Sequence, residues 1–471
     1  MARRAGRGAG MGLGIAGLAL CAALAGIGVA VGEVEATVGV LSLVGVAAVL
    51  ADFRIGAVLL ILMMPIERSV YFPHSLFGII GVNPLNALML ATLGSFLLRG
   101  RNLRGFLPRP LLWLVLVPVL FAGVLGLRHV DHIHPDFYEA MLINFTDAFG
   151  YFRDVAVKPL LLVLGALLIG AAVRQSQKPE RFLVPVILSV WLMSLYSILY
   201  VAASGVSLAT LASTHSREFF SVLGLHANDL GRLYAVAYAL LLFTWGETRD
   251  LRLKGVLVVT MGVLTLALLF TFSRGAFVGF VIVNALFLLW KMNARTLGLA
   301  LLLLPLALWL MPGAVIGRMS LGFGDGGDVN EVTAGRVDEI WLPLMPDLLH
   351  TPPWGNGLDS VMWSRAIWTG TMLLVTHPHN AYLQALLDMG VIGLVLLLAY
   401  YWHVFRNLKD LGSNAYLSPT LRGFFQGAVA GLACFLATGF AGSSLRPTAE
   451  FAFLWIAIGM MYGQLARRPT A

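Results

Sequence analysis

Charge is scarce in this 471-residue chain. Asp, Glu, Lys and Arg supply 12% of it, where a soluble domain carries about a quarter. Apolar residues make up 59% and the mean hydropathy is +0.84, which excludes an ordinary soluble enzyme and puts the chain in a bilayer. Cysteine is nearly absent. Cys21 and Cys434 both lie inside apolar runs, which argues against a disulfide framework. Also missing are a Gly-x-Ser-x-Gly elbow, a Walker loop, a dinucleotide fingerprint and an Asp-x-Asp pair in the polar loops of the outer side. The net charge of +8 needs no nucleic acid to explain it, because cytoplasmic loops of membrane proteins collect Lys and Arg.

What is present is apolar sequence in runs, from about 11–31 through to 449–465. A span needs about 20 residues, and the runs at 36–50 and 55–66 are short for that. The pattern predicts an all-α, polytopic membrane protein with twelve to fourteen transmembrane helices. The opening MARRAGRGAGMGLGIAGLALCAALAG reads as a retained first helix, since more apolar runs follow at once. Three parts are expected: a bundle over 1–312, a large loop over 313–382, and further spans over 383–471. Within the loop, Val337, Ile340, Trp341, Leu344 and Leu348 have helical spacing, which predicts an amphipathic helix on the outer membrane surface. The stretch PPWGNG then turns sharply.

Basic residues set the orientation. Groups at Arg3/Arg4/Arg7, Arg99–Arg109, Arg174–Arg181, Arg249–Lys254, Lys291/Arg295, Arg406–Arg422 and Arg467/Arg468 alternate with the spans and put both termini in the cytoplasm. Eleven of the 32 basic residues fall on the other side or just within it: Arg68, Arg128, Arg153, Lys158, Arg217, Arg232, Arg274, Arg318, Arg336, Arg365 and Arg446. That placement opposes the positive-inside tendency. A guanidinium is a rigid donor fork that matches phosphate oxygens, so arginines on one face suit an anionic lipid head group. Snorkelling, or pairing with a nearby acid, is the plainer use. Arg217 in STHSREFFS and Arg274 in TFSRGAFVGF stand out, because Arg274 sits between two apolar runs joined by almost nothing. Arg336 and Arg446 come next.

Two histidines precede the run 383–405. Imidazole accepts a proton near neutrality and suits a general base for a hydroxyl acceptor. His379 is expected in the first turn of that helix, where the dipole disfavours imidazolium, with Pro378 at an early helical position. The alternative is that His377 and His379 merely cap the helix. Metal ligation by His377/His379 or Asp131/His132/His134 is the rival use, and no metal or other cofactor is expected.

The segment His379-Asn380, nine residues, then Gly390-Val391-Ile392-Gly393 resembles the signature of the bacterial O-antigen ligases. SRGAFVGF and the run ending in PPWGNG are similar to the wider ligase and polymerase superfamily. The resemblance implies an inverting, metal-independent glycosyltransferase of lipopolysaccharide biosynthesis in the inner membrane. Its donor would be a glycan on undecaprenyl diphosphate and its acceptor a lipid A-core sugar hydroxyl, joined on the periplasmic face. The family's functional residues would fall on His379 as base and on Arg217 and Arg274 at the diphosphate. Arg336, Arg446, His377, Asn380, Gly355 and Gly357 are taken as further substrate contacts. A polymerase-associated pattern, Arg with Gly sixteen residues on, fails at Arg217, Arg274 and Arg336, where Leu233, Trp290 and Pro352 stand instead. Rival readings are a polymerase, oligosaccharide transfer to protein, and a multi-span transporter or flippase; the last is disfavoured because no internal repeat is visible.

Overall fold

The computed structural model describes residues 45–66, 69–70, 72, 75–76, 79–80, 83–99, 105–212, 214–291, 298, 313–320 and 328–467. The expected helix at 11–31, the first part of the run at 36–50, the run at 297–312 apart from residue 298, and the side chain of Arg217 lie outside what is described.

The fold is all-α. In chain order its main helices are α1 (Phe53–Met63), α2 (Pro84–Arg99), α3 (Arg109–His132), α4 (Ala148–Gln175), α5 (Pro179–Ser204), α6 (Ala227–Glu247), α7 (Leu251–Phe270), α8 (Arg274–Lys291), α9 (Leu342–Leu349), α10 (Ala381–Gly412), α11 (Pro419–Ala441) and α12 (Ala449–Leu465). Among the described residues a two-residue ladder, Ser75–Leu76 with Ile79–Ile80, is the one β pairing. Short polar side chains start the helices as their chemistry dictates. Asp52, Asp250 and Ser418 accept from Arg54 N, Arg252 N and Leu421 N, and Gly205 ends α5 in the left-handed conformation.

Seven of the described helices (α3, α4, α5, α7, α8, α10 and α11) are long and apolar enough to cross a membrane, and α1, α2 and α12 are shorter apolar helices. The helix α6 belongs to neither set, although the run 228–245 is read as a span. It is buried continuously from Leu230 to Thr244, against α8 and α11, so its residues meet protein rather than lipid and can be polar. Close approach makes this possible: a Cβ on Gly427 of α11 would stand 2.5 Å from Ala239 O of α6. The lipid-facing helices show the opposite, with Leu188, Leu192, Leu195 and Leu199 of α5 and Val256, Val258 and Val259 of α7 exposed.

One local expectation holds and one changes. The amphipathic segment of the large loop is helical over Val337–Trp341 and α9, with Ile340 and Leu344 buried and Leu342 and Leu349 exposed. The helix after the histidines, expected at 383–405, runs from Ala381 to Gly412 and is broken at Gly390, where φ is 66° and ψ is −174°.

Candidate active site

A cavity of about 250 Å³ opens where α6, α8, the large loop and the end of α11 meet. Its lining includes Arg232 of α6, Arg274 at the start of α8 and Arg336 of the large loop. Asn228, Ser273 and Thr333 add neutral hydrogen-bonding groups, and Phe272, Trp341 and Phe440 add aromatic wall. Drug-sized sites span roughly 300–1,000 Å³, so this one suits a head group rather than a glycan chain. Two of its lining residues, Phe272 and Ala334, hold positive φ angles of 47° and 59° without being glycine. Such strain persists only where the surroundings over-determine it, and it gathers at functional sites.

Arg232 is 3% exposed. Its guanidinium donates to Ala441 O at 3.0 Å, to Glu450 Oε2 at 3.0 Å and to Asp229, and Glu450 in turn accepts from Ser443 Oγ at 3.0 Å. Two carboxylates therefore offset this one cation, which pins the α11–α12 connection to α6. The sequence pattern puts Arg232 among the eleven unusual basic residues but does not single it out. Its Asp229 partner, three residues back, is visible as helical spacing; Glu450, more than two hundred residues away, is not.

The histidine segment lies beside this cavity. Pro378 and His379 stand outside α10, because Asn380 is its cap: the Asn380 side chain accepts from Tyr382 N and Leu383 N, both at 3.1 Å. An amide oxygen fills the capping role that an imidazole does poorly, so the histidines are not the caps and Pro378 is not an early helical residue. Instead Pro378 O accepts from Nε1 of Trp341, a cavity residue, at 2.8 Å. His379 itself has φ of 52°, strained for a non-glycine residue. Its ring lies 4.3 Å from that of His377, which approaches Thr376 Oγ1 through Nδ1 at 3.2 Å.

Electrostatics follow from this placement. Desolvation first, then the neighbouring His377, Arg336, His226 and Arg232, lower the His379 pKa to about 2. Desolvation likewise lowers His377 to about 4, with Glu450 and Asp359 opposing and Arg232 and Arg336 adding to it. Both rings are neutral at pH 7. His226, a residue the sequence reading passes over, caps α6 through Nδ1, which accepts from Asn228 N at 3.2 Å.

The other expected site residues divide. Arg217 has its backbone in the 3₁₀ segment Thr214–Leu223, which packs against α6. Arg446 does not line the cavity: its guanidinium pairs with Asp359 at 2.5 Å and Val155 O at 3.4 Å, and stands 3.8 Å from Asp388, with partners on both sides raising its pKa despite burial. Gly355 and Gly357 are also elsewhere, in the break of α10. A Cβ on Gly355 would stand 2.2 Å from Asp388 O, and one on Gly357 2.4 Å from Gly126 of α3. Among the described residues no group of three or more His, Cys, Asp or Glu is arranged to hold a metal ion.

Known proteins resemble the chain over part of its length. The O-Antigen ligase family model matches residues 256–398, which run from α7 through Arg274, Arg336, His379 and the Gly390 break. An O-antigen ligase of Pseudomonas aeruginosa is 29% identical over 231 residues, 49% of this chain and 52% of that protein. The chain thus spans about half the length of this curated relative. Taken together, these matches make the chain similar to the O-antigen ligases over part of its length.

Proposed function

We propose that the chain is a glycosyltransferase that moves a glycan from undecaprenyl diphosphate to a hydroxyl of lipid A-core, at the periplasmic face of the bacterial inner membrane. The observation that carries this is one cavity lined by Arg232, Arg274 and Arg336, with the neutral His379 held beside it. Arg274 and Arg336, on two separate elements, suit an anionic group with oxygens pointing several ways, as a diphosphate has, while Arg232, paired with Asp229 and Glu450, braces the wall. Apolar runs on α5 and α7 would keep the polyprenyl tail in the bilayer while the head group enters. With both termini cytoplasmic, the described loop residues 328–382 would cover the cavity from the periplasmic side.

In the transfer, Arg274 and Arg336 hold the diphosphate and stabilise the charge that develops as the glycosidic bond to phosphate breaks. His379 takes the proton of the attacking hydroxyl. Attack on the face opposite the leaving diphosphate inverts the anomeric centre. Holding two lipid-bound substrates in register contributes as much as the charges do.

The test is a reconstituted transfer assay with undecaprenyl-diphosphate glycan and lipid A-core, with and without EDTA. Arg274→Ala is expected to lower kcat/KM by roughly 10²–10³-fold, the usual effect of one lost transition-state donor. His379→Ala is expected to abolish transfer while EDTA leaves it unchanged. Full activity in His379→Ala, or products longer by repeat units and still on the polyprenyl carrier, would sink the reading.

A further inference from the structure

The break in α10 is a joint into which the large loop is hydrogen-bonded. Breaking a helix leaves carbonyls and amides without their usual partners. Here the large loop supplies partners for three of them: Asn356 N donates to Leu387 O at 2.9 Å, Gly357 N to Asp388 O at 3.0 Å, and Ile392 N to Pro353 O at 3.0 Å. The contact is too close for side chains, since a Cβ on Gly390 would stand 2.1 Å from Pro353 O. One side chain fastens the joint. Asp388, 1% exposed, accepts from Ser360 N at 3.0 Å and Ser360 Oγ at 3.1 Å through Oδ1, and from Gln384 Nε2 at 2.7 Å through Oδ2, with Arg446 at 3.8 Å.

The first part of α10, residues 381–389, is thereby a short rigid strut of about 13 Å at 1.5 Å per residue. One end carries the Asn380 cap and His379; the other end is the joint. The cavity arginines Arg232 and Arg274 stand on α6 and α8, outside the strut. We propose that Asp388 is a positioning residue: by fastening the large loop into the break of α10, it sets where His379 stands relative to the arginines of the cavity. It acts through the strut and touches neither cavity nor substrate. Arg446 has the same task from the α11–α12 connection, through Asp359 and Asp388. This inference rests on the transfer reaction proposed above for its kinetic consequence, and on geometry alone for its structural one.

The test uses the full-length protein in detergent or nanodiscs, with Asp388→Ala and the milder Ser360→Ala. Two readouts need no activity: hydrogen exchange at the amides of Asn356, Gly357 and Ile392, and the rate at which diethyl pyrocarbonate labels His379 relative to His226. Both are expected to rise in Asp388→Ala and, less, in Ser360→Ala. Kinetically, kcat should fall roughly 10²-fold, the cost of about 1 Å of misplacement, while the KM for the lipid-linked donor stays unchanged. A merely structural Asp388 would lower the amount of folded protein and leave kcat per folded molecule intact, which would overturn the proposal. Unchanged exchange and unchanged His379 labelling would overturn it as well. Should the wild type transfer nothing, the functional reading fails, and labelling and exchange still decide whether Asp388 positions His379. If Asp388→Ala does not accumulate, Ser360→Ala carries the same comparison.

Discussion

At the residue scale the two histidines decide the pH behaviour. With pKa values lowered to about 4 and about 2, His377 and His379 are neutral through the whole physiological range. A base that weak takes up a hydroxyl proton poorly. Desolvation is the largest cause of the His379 shift, and an anion in the cavity would offset only the smaller fields of Arg336 and Arg232, so the proposed donor would move the His379 pKa upward on binding. The profile of kcat/KM, which reports the free enzyme, is therefore expected to lack an acid limb between pH 5 and 8. The profile of kcat, which reports the bound complex, should show its acid limb at higher pH. Coincident limbs near pH 6.5 in both profiles would contradict this. Stability has a definite sign too. The folded values lie below the unfolded value near 6.5, so the unfolded chain binds protons the fold refuses. The contribution of the neutral rings is full above about pH 6.5 and is lost as pH falls, down to about 4 for His377 and on toward about 2 for His379.

At the scale of the element, α10 shows what a motif can and cannot say. His379-Asn380 and Gly390-x-x-Gly393 are legible in the sequence, and Asn380 proves to be the cap that such an amide makes best. The role of Gly390 is not legible, because a glycine in an apolar run looks like a packing residue until its partner loop is seen. Its φ and ψ lie in a region that glycine alone tolerates. Gly390→Ala is expected to destabilise the protein by several kcal/mol, combining about 1–3 kcal/mol of backbone strain with the collision against Pro353 O. Thermal unfolding followed by tryptophan fluorescence in detergent would check it; an unchanged midpoint would remove the joint from the account. Gly355 and Gly357 belong to the same joint, which is why a sharp turn in PPWGNG could be read from sequence while its destination could not.

At the scale of the whole molecule, the buried Arg232–Glu450 pair ties α6 to the α11–α12 connection. Removing one partner strands a charge in a low-dielectric interior, which typically costs 3–5 kcal/mol, whereas replacing both with apolar residues of similar volume is often neutral. Arg232→Leu is expected to unfold at markedly lower temperature than wild type, and Arg232→Leu/Glu450→Leu to recover most of the loss. Equal destabilisation in the single and double variants would show that the pair is not coupled. The double variant should still lack full transfer activity, because the cavity has lost one arginine.

The membrane class, the all-α architecture, the amphipathic loop segment and the choice of His379, Arg274 and Arg336 as candidates came from local information: hydropathy, helical spacing, and residue chemistry at run ends. Those signals act over a few residues, so one chain suffices to read them. Which arginines share a cavity was decided only in three dimensions. Arg446 and Arg232 look alike in sequence, both cations near an apolar run, yet Asp359 and Val155 engage the first away from the cavity while α6 carries the second into its wall. The difference lies in partners from distant parts of the chain, Asp359 and Asp388 for one and Glu450 for the other. Coulomb attraction and hydrogen bonding act over a few ångströms of space, and separation along the chain carries no record of that distance.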